Sequence, residues 1–268
     1  MTAIVPTLAV NAAALLAVIL ILWAYSVKIR DVSFIDAFWA FGMVLLAWAS
    51  WAQSGAPGAR SHLLLGLTTL WGLRLALHLW TRWRAHGEDP RYAKIMRSVM
   101  EKKGWSWSKT SLLSVFLTQA PLLFITCLPA QLGIWASEGS RSVLGPLAFF
   151  GATIAIIGIL FETIGDAQLN GFRANPANTG KVLDTGLWRY TRHPNYFGDA
   201  CVWWGLYLIA AETGPGLWAI AGPLFLTFTL TKWSGIGITE KAIHGTRPGY
   251  ADYVRRTSAF IPWPPKKA

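Results

Sequence analysis

Cysteine is scarce in this chain: Cys127 and Cys201 are the two among 268 residues. Both lie in apolar stretches, which excludes a disulfide scaffold and points to packing roles. No Cys or His cluster has the spacing of zinc ligands. Charge is scarce as well. Only 14% of the residues are charged, against about 25% in an ordinary soluble domain. Acids are the scarcer sign, with 13 Asp and Glu against 24 Lys and Arg. Repeats, low-complexity tracts and domain linkers are absent, so disordered, collagen-like and multi-domain readings fall away. What remains is apolar: 53% hydrophobic residues, 16 Trp and 25 Gly, with a mean hydropathy of +0.39. The net charge of +11, carried by basic loops on such a chain, reflects membrane topology rather than nucleic-acid binding.

Seven apolar segments stand out: Leu8–Val27, Phe34–Ala52, His62–Leu79, Leu112–Trp135, Leu144–Ile164, Phe197–Ala211 and Gly216–Thr231. About 20 apolar residues cross a bilayer, so seven crossings need roughly 140 residues. The basic residues orient them. With the N-terminus outside, twenty-one Lys and Arg fall on the cytoplasmic side and only Arg60 and Arg141 outside, Arg74 lying within the third helix. The expected fold is therefore an all-α integral membrane protein with seven transmembrane helices and a cytoplasmic C-terminus. The N-terminus lacks a charged lead-in and a small-residue cleavage site, so it is expected to stay as the first helix. Residues 1–268 form one membrane domain. Loops 82–110 and 165–195 and the tail 232–268 are long enough to cover a ligand.

Polar residues inside apolar segments are functional candidates. Asp36, near the start of the second helix, is either a helix cap or a buried carboxyl able to donate a hydrogen bond. Arg74, His78 and Arg82 recur every four residues, with Trp71 one turn earlier, so they form one polar stripe. Glu162 and Asp166 stand four apart, and Arg173 shares their face if that helix continues. The densest cluster is Gly186–Asp199, Gly-Leu-Trp-Arg-Tyr-Thr-Arg-His-Pro-Asn-Tyr-Phe-Gly-Asp. Pro194 suits a first helical position and makes His193 its cap. The backbone donors there favour an anion, with Arg189 and Arg192 upstream as countercharge. Asn195 and Asp199 are one turn apart. In the tail, Tyr250 and Tyr253 have the spacing to close over a planar ring or ribose, and Arg255 and Arg256 to meet lipid headgroups.

The stretch LWRYTRHPNYFGDACVWWG with the tail RPGYADYVRRTSAFIPWPP resembles the bacterial branch of the membrane steroid 5-alpha-reductase family, a branch catalogued as a domain of unknown function. The resemblance runs from the second helix to the C-terminus. It implies a seven-helix reductase of the bacterial inner membrane that uses NADPH, facing the cytoplasm, to reduce the carbon–carbon double bond of an enone such as a 3-oxo-4-ene steroid. By that resemblance the cofactor residues are Asp166, Arg173, Arg189, Tyr190, Asn195 and Asp199, with Arg82, His193, Tyr196, Tyr250 and Tyr253 beside them. The family's animal members carry a Gln-Glu pair and a Tyr at the substrate carbonyl. Here Asp36 offers the carboxyl without a preceding Gln, and Trp71 stands near the Tyr position.

The expected reaction is hydride transfer to the beta carbon of an apolar enone that enters from the bilayer. Asp36 is the expected donor to the developing oxyanion, with Trp71 and His78 the further catalytic candidates. Two other classes compete. Membrane methyltransferases using S-adenosylmethionine share the Arg-His-Pro-x-Tyr core, and a small transporter or receptor would also carry basic loops. No soluble-type Gly-x-Gly-x-x-Gly fingerprint is present. Membrane lipids are the surroundings, and no obligatory protein partner is evident.

Overall fold

The computed structural model describes residues 4–137, 143–233, 235–243 and 247–266. Arg141 and Lys267, both counted in the charge partition, lie outside them. Twelve α-helices follow one another among these residues: α1 Ile4–Ile29, α2 Ile35–Ala52, α3 Ala59–His86, α4 Pro90–Lys103, α5 Trp107–Ser111, α6 Leu117–Thr126, α7 Leu128–Trp135, α8 Pro146–Ala174, α9 Pro194–Ala210, α10 Ala221–Phe228, α11 Ile236–Ile243 and α12 Tyr250–Arg256. The described residues contain no strand; a single bridge pairs Thr191 with Ser258. Five rods are long and apolar enough to cross a membrane: α1, α2, α3, Trp107–Thr126 and α8. This is the build of an integral membrane protein.

The expected sixth and seventh segments are helical but fall short of that length. α9 has 17 residues, and the last segment divides into a 3-10 stretch Pro215–Ile220, then α10, then a π stretch Thr229–Trp233. Threonines explain the widening. Thr227, Thr229 and Thr231 each donate to a carbonyl three or four residues back at 2.7 Å, which loosens the helical ladder. The fourth segment is likewise not one rod. Pro129 sits at the start of α7, where its missing N–H ends the run from α6. Pro121 inside α6 follows a π turn at Leu112–Phe116, the usual way a helix absorbs a freed carbonyl.

Two stretches read as loops are largely helix. α3 runs on to His86, and α4 fills about half of 82–110 because Asp89 caps it through the Arg91 N–H at 2.9 Å, Pro90 opens it, and Gly104 closes it at φ 63°. α8 continues past Ile164 to Ala174, which places Asp166 and Arg173 on a rigid element.

Glycines set the central pair. A Cβ on Gly151 would lie 2.5 Å from the Gly205 carbonyl oxygen, and one on Gly158 2.5 Å from that of Gly198. Gly165 meets the Pro194 ring. These glycines fall every seventh residue on α8 and face α9 running antiparallel, so the two backbones touch along their length. That contact fixes Glu162 and Asp166 against the first turns of α9. At the other end of α8, Glu212 accepts the N–H groups of Gly145 and Ala148 and pairs with Arg60 at 2.8 Å. Buried Asn11 bonds Ser50 at 2.7 Å and Gln131 at 2.9 Å, tying α1, α2 and α7. Cys127 and Cys201 are unpaired.

Candidate functional site

The polar stripe of α3 faces the acids of α8. Trp71 Nε1 donates to Glu162 Oε2 at 2.9 Å. Arg74 bridges both acids, 3.1 Å from Glu162 Oε1 and 2.6 Å from Asp166 Oδ2. His78 Nε2 lies 3.7 Å from the same Asp166 oxygen. From α9, Asn195 donates to Asp166 Oδ1 at 3.3 Å. Asp199, one turn on, sits within electrostatic reach of Arg74, Asp166 and Glu162. Its Oδ1 is buried with no hydrogen-bond partner among the described residues. Three carboxyls thus converge on one guanidinium, and one acceptor is left open. Behind them Trp71 meets Trp203 edge-on, 5.2 Å between centroids, closing the cleft with apolar surface.

Cations gather at the mouth. Arg173 lies within electrostatic reach of Arg82 and Arg247 and pairs with no carboxylate among the described residues. Arg82 is 3.9 Å from Asp36. Asp36 itself does not cap α2, whose N-terminus has no side-chain cap. Instead it accepts the Tyr92 hydroxyl at 2.6 Å and meets Arg91 at 3.3 Å, joining α2 to α4. Burial, and the Asp36 carboxylate beside it, hold the Tyr92 phenol well above its usual range, so it remains a donor at neutral pH.

The rest of the Gly186–Asp199 stretch is a latch for the tail. Arg192 donates to both Glu240 oxygens at 2.7 and 3.2 Å, and to the carbonyls of Val254 and Thr257. His193 Nε2 lies 3.1 Å from Glu240 Oε1, and its ring stacks on Tyr196 at 5.1 Å. Tyr253 donates to the Trp188 carbonyl at 2.5 Å. Burial works against the Glu240 charge, but the hydrogen bonds from His193 and Arg192 bring its carboxyl down to about 2. Beside the latch, a groove of about 510 Å³ is lined by Arg189, Arg256, Lys266 and Asp184, among others.

Residues 22–257, which span both the cleft and the latch, match the family described as Protein of unknown function (DUF1295). The chain belongs to the DUF1295 family. The resemblance read from the Gly186–Asp199 stretch and the tail is borne out. This DUF1295 chain is 23% identical over 275 residues to an uncharacterized protein of Schizosaccharomyces pombe, covering 90% of the chain and 76% of that relative. It is 31% identical over 102 residues to 3-oxo-5-alpha-steroid 4-dehydrogenase 1 of Macaca fascicularis, covering 38% of the chain and 36% of that enzyme. No solved structure matches the chain.

Within this DUF1295 fold the expected residues divide into four groups. Asp166, Asn195, Asp199, Trp71 and His78 share the cleft, and Arg82 and Arg173 stand at its mouth. Asp36 forms its own cluster with Tyr92 and Arg91. His193, Tyr196, Tyr250 and Tyr253 lie with the latch; Tyr250 and Tyr253 are buried against each other at 6.1 Å, and the Tyr253 hydroxyl is engaged. Tyr190 and Arg189 are exposed. Sequence reasoning missed Tyr92 and Glu240. Tyr92 had a usable signal, since Asp89-Pro90 announces a helix that carries it. Glu240 had none, because its partners lie 47 and 48 residues away.

Proposed function

We propose that this chain is an integral membrane NADPH-dependent reductase of the carbon–carbon double bond of an apolar enone, such as a 3-oxo-4-ene steroid. One observation carries the reading: a carboxyl cleft on three helices, with an Asp199 oxygen and the Arg173 guanidinium at its mouth both lacking a partner of opposite kind among the described residues. The similarity to the macaque steroid dehydrogenase supports it. The remaining topology follows the charge partition: seven crossings, N-terminus outside, cofactor site on the cytoplasmic side.

The residues present fit such a cofactor by their chemistry. Arg173, Arg82 and Arg189 would meet its phosphates as guanidiniums do, and Asp199, Asp166 and Asn195 would bond ribose hydroxyls or the carboxamide. When bound, NADPH supplies the hydride; the protein supplies position and electrostatics. Trp71 is fully buried and donates to Glu162, so its indole N–H is committed. The Asp36–Tyr92 pair is the better donor to a carbonyl oxygen. In the reaction the Tyr92 O–H would turn from the Asp36 carboxylate that positions it to the developing oxyanion. The apolar substrate enters from the bilayer, and solvent delivers the alpha proton.

A methyltransferase reading makes the opposite binding prediction. Protein purified in detergent is titrated with NADPH, NADH and S-adenosylhomocysteine; tight binding of the last alone overturns the reductase. Asp36→Leu is expected to lose about 3–4 kcal/mol of transition-state stabilisation, seen as slow single-turnover NADPH oxidation with unchanged NADPH affinity. A near-normal rate in that variant removes Asp36 from the mechanism.

A further inference from the structure

Away from the cleft, three cations rest on indole faces at one corner of the bundle. Lys103 Nζ lies 4.3 Å, and Lys109 Nζ 4.9 Å, from the Trp105 ring centroid. The Arg30 guanidinium lies 5.3 Å over Trp107. α1 ends at this corner, α4 ends there, and the Trp107–Thr126 rod begins there. The Trp23 indole N–H reaches the Ser108 carbonyl at 3.0 Å and holds α1 to that rod. Lys28 and Lys102, also exposed, stand in the last turns of α1 and α4.

Five cations stand at this corner, with Glu101 the acid beside Lys102. None of Lys28, Arg30, Lys102, Lys103 and Lys109 pairs with a carboxylate among the described residues. Asp31, next in sequence to Arg30, is turned away, accepting from Ser33 and from Trp83 at 2.7 Å. Arg30 is also held at φ 59°, a left-handed backbone uncommon for a residue other than glycine. Two rods of membrane-spanning length terminate here, so the corner lies at the edge of the hydrocarbon layer, the depth that Trp favours.

We propose that this corner is a binding site for the headgroup of an anionic glycerophospholipid. The ammoniums of Lys103 and Lys109, already aligned by the Trp105 face, would grip the phosphodiester, while Arg30 over Trp107 flanks it. The acyl chains would follow the outside of α1 and of the Trp107–Thr126 rod. A choline headgroup carries the same phosphate but adds a positive charge to a corner that already holds five, so it binds more weakly.

The test is native mass spectrometry of the full chain in neutral detergent, titrated with dioleoyl phosphatidylglycerol or dioleoyl phosphatidylcholine. The expected result is preferential retention of phosphatidylglycerol, lowered about tenfold in the double variant Lys103→Gln/Lys109→Gln. The charge-matched variant Lys94→Gln/Arg97→Gln, on α4 but away from Trp105, should retain the lipid as the parent does. Equal retention of the two lipids overturns the proposal. So does an unchanged Lys103/Lys109 variant, an equal loss in the Lys94/Arg97 variant, or displacement by millimolar inorganic phosphate, which would mark a free-phosphate site. NADPH binding is no part of the readout, so failure here leaves the reductase reading untouched.

Discussion

Arg192 and Arg173 lie nineteen residues apart and live in opposite surroundings. Arg192 is buried, with its guanidinium nitrogens engaged by Glu240 and two tail carbonyls. Arg173 is exposed on the last turn of α8, near two other arginines. The same contrast divides the acids. Glu240 receives Arg192 and His193, whereas Asp199 keeps a buried oxygen with no hydrogen-bond partner among the described residues. A latch satisfies every group it buries, because an unmet buried charge destabilises the fold. A cleft for a polar ligand leaves donors and acceptors open for that ligand. The Gly186–Asp199 stretch therefore serves two purposes: its Arg-His portion fastens the tail, and its Asn and Asp portion lines the cleft.

Removing the latch should have the largest effect. Arg192→Ala leaves Glu240 with His193 alone and two carbonyls without their donor, with an expected cost of about 3 kcal/mol in stability. Thermal unfolding in detergent reads this, and an unchanged melting temperature would erase the distinction between the two regions. A smaller effect of a different kind is expected in the cleft. Arg173→Ala and Asn195→Ala should keep the melting temperature and weaken NADPH binding about ten- to a hundredfold, the loss of one charge-assisted hydrogen bond of roughly 1.5–3 kcal/mol. Unchanged titrations for both would remove these two residues from the cofactor site.

The smallest effect sharpens the comparison through pH. The Glu240 carboxyl is brought down to about 2 in the folded chain, below the ordinary value of about 4.3 for Glu. A depressed acid stabilises the fold above its unfolded value, and this stabilisation is lost as pH falls through the folded one. The latch should therefore weaken as pH drops from about 4 toward 2, and Glu240→Gln should flatten that limb of the stability profile. An identical acid limb in parent and variant would show that Glu240 does not carry it.

Much of the cleft was legible in the sequence because helical periodicity alone aligns its parts. Arg74, His78 and Arg82 fall on one face at four-residue spacing, as do Glu162 with Asp166 and Asn195 with Asp199. Pro194 announced the start of α9, and the apolar runs announced the long rods. Helix ends were less well read. α8 continues through Asp166 and Arg173 after its apolar run stops, where Gln168 accepts the Leu187 N–H and the Gly165 carbonyl accepts the Trp188 indole N–H, both at 3.0 Å.

Which stripes face one another was decided only by the tertiary structure. Periodicity fixes the direction of a side chain around its own helix but not the neighbour it meets. The glycine seam of α8 and α9 brings Asp166 to Asn195, and the α2–α4 contact brings Asp36 to Tyr92 rather than to the α8 acids. The role of Arg192 was decided the same way. In the sequence it is one more cation beside Arg189, available to a phosphate. In the fold, Glu240 and the returning tail claim it, because a buried guanidinium must find acceptors wherever the chain can bring them.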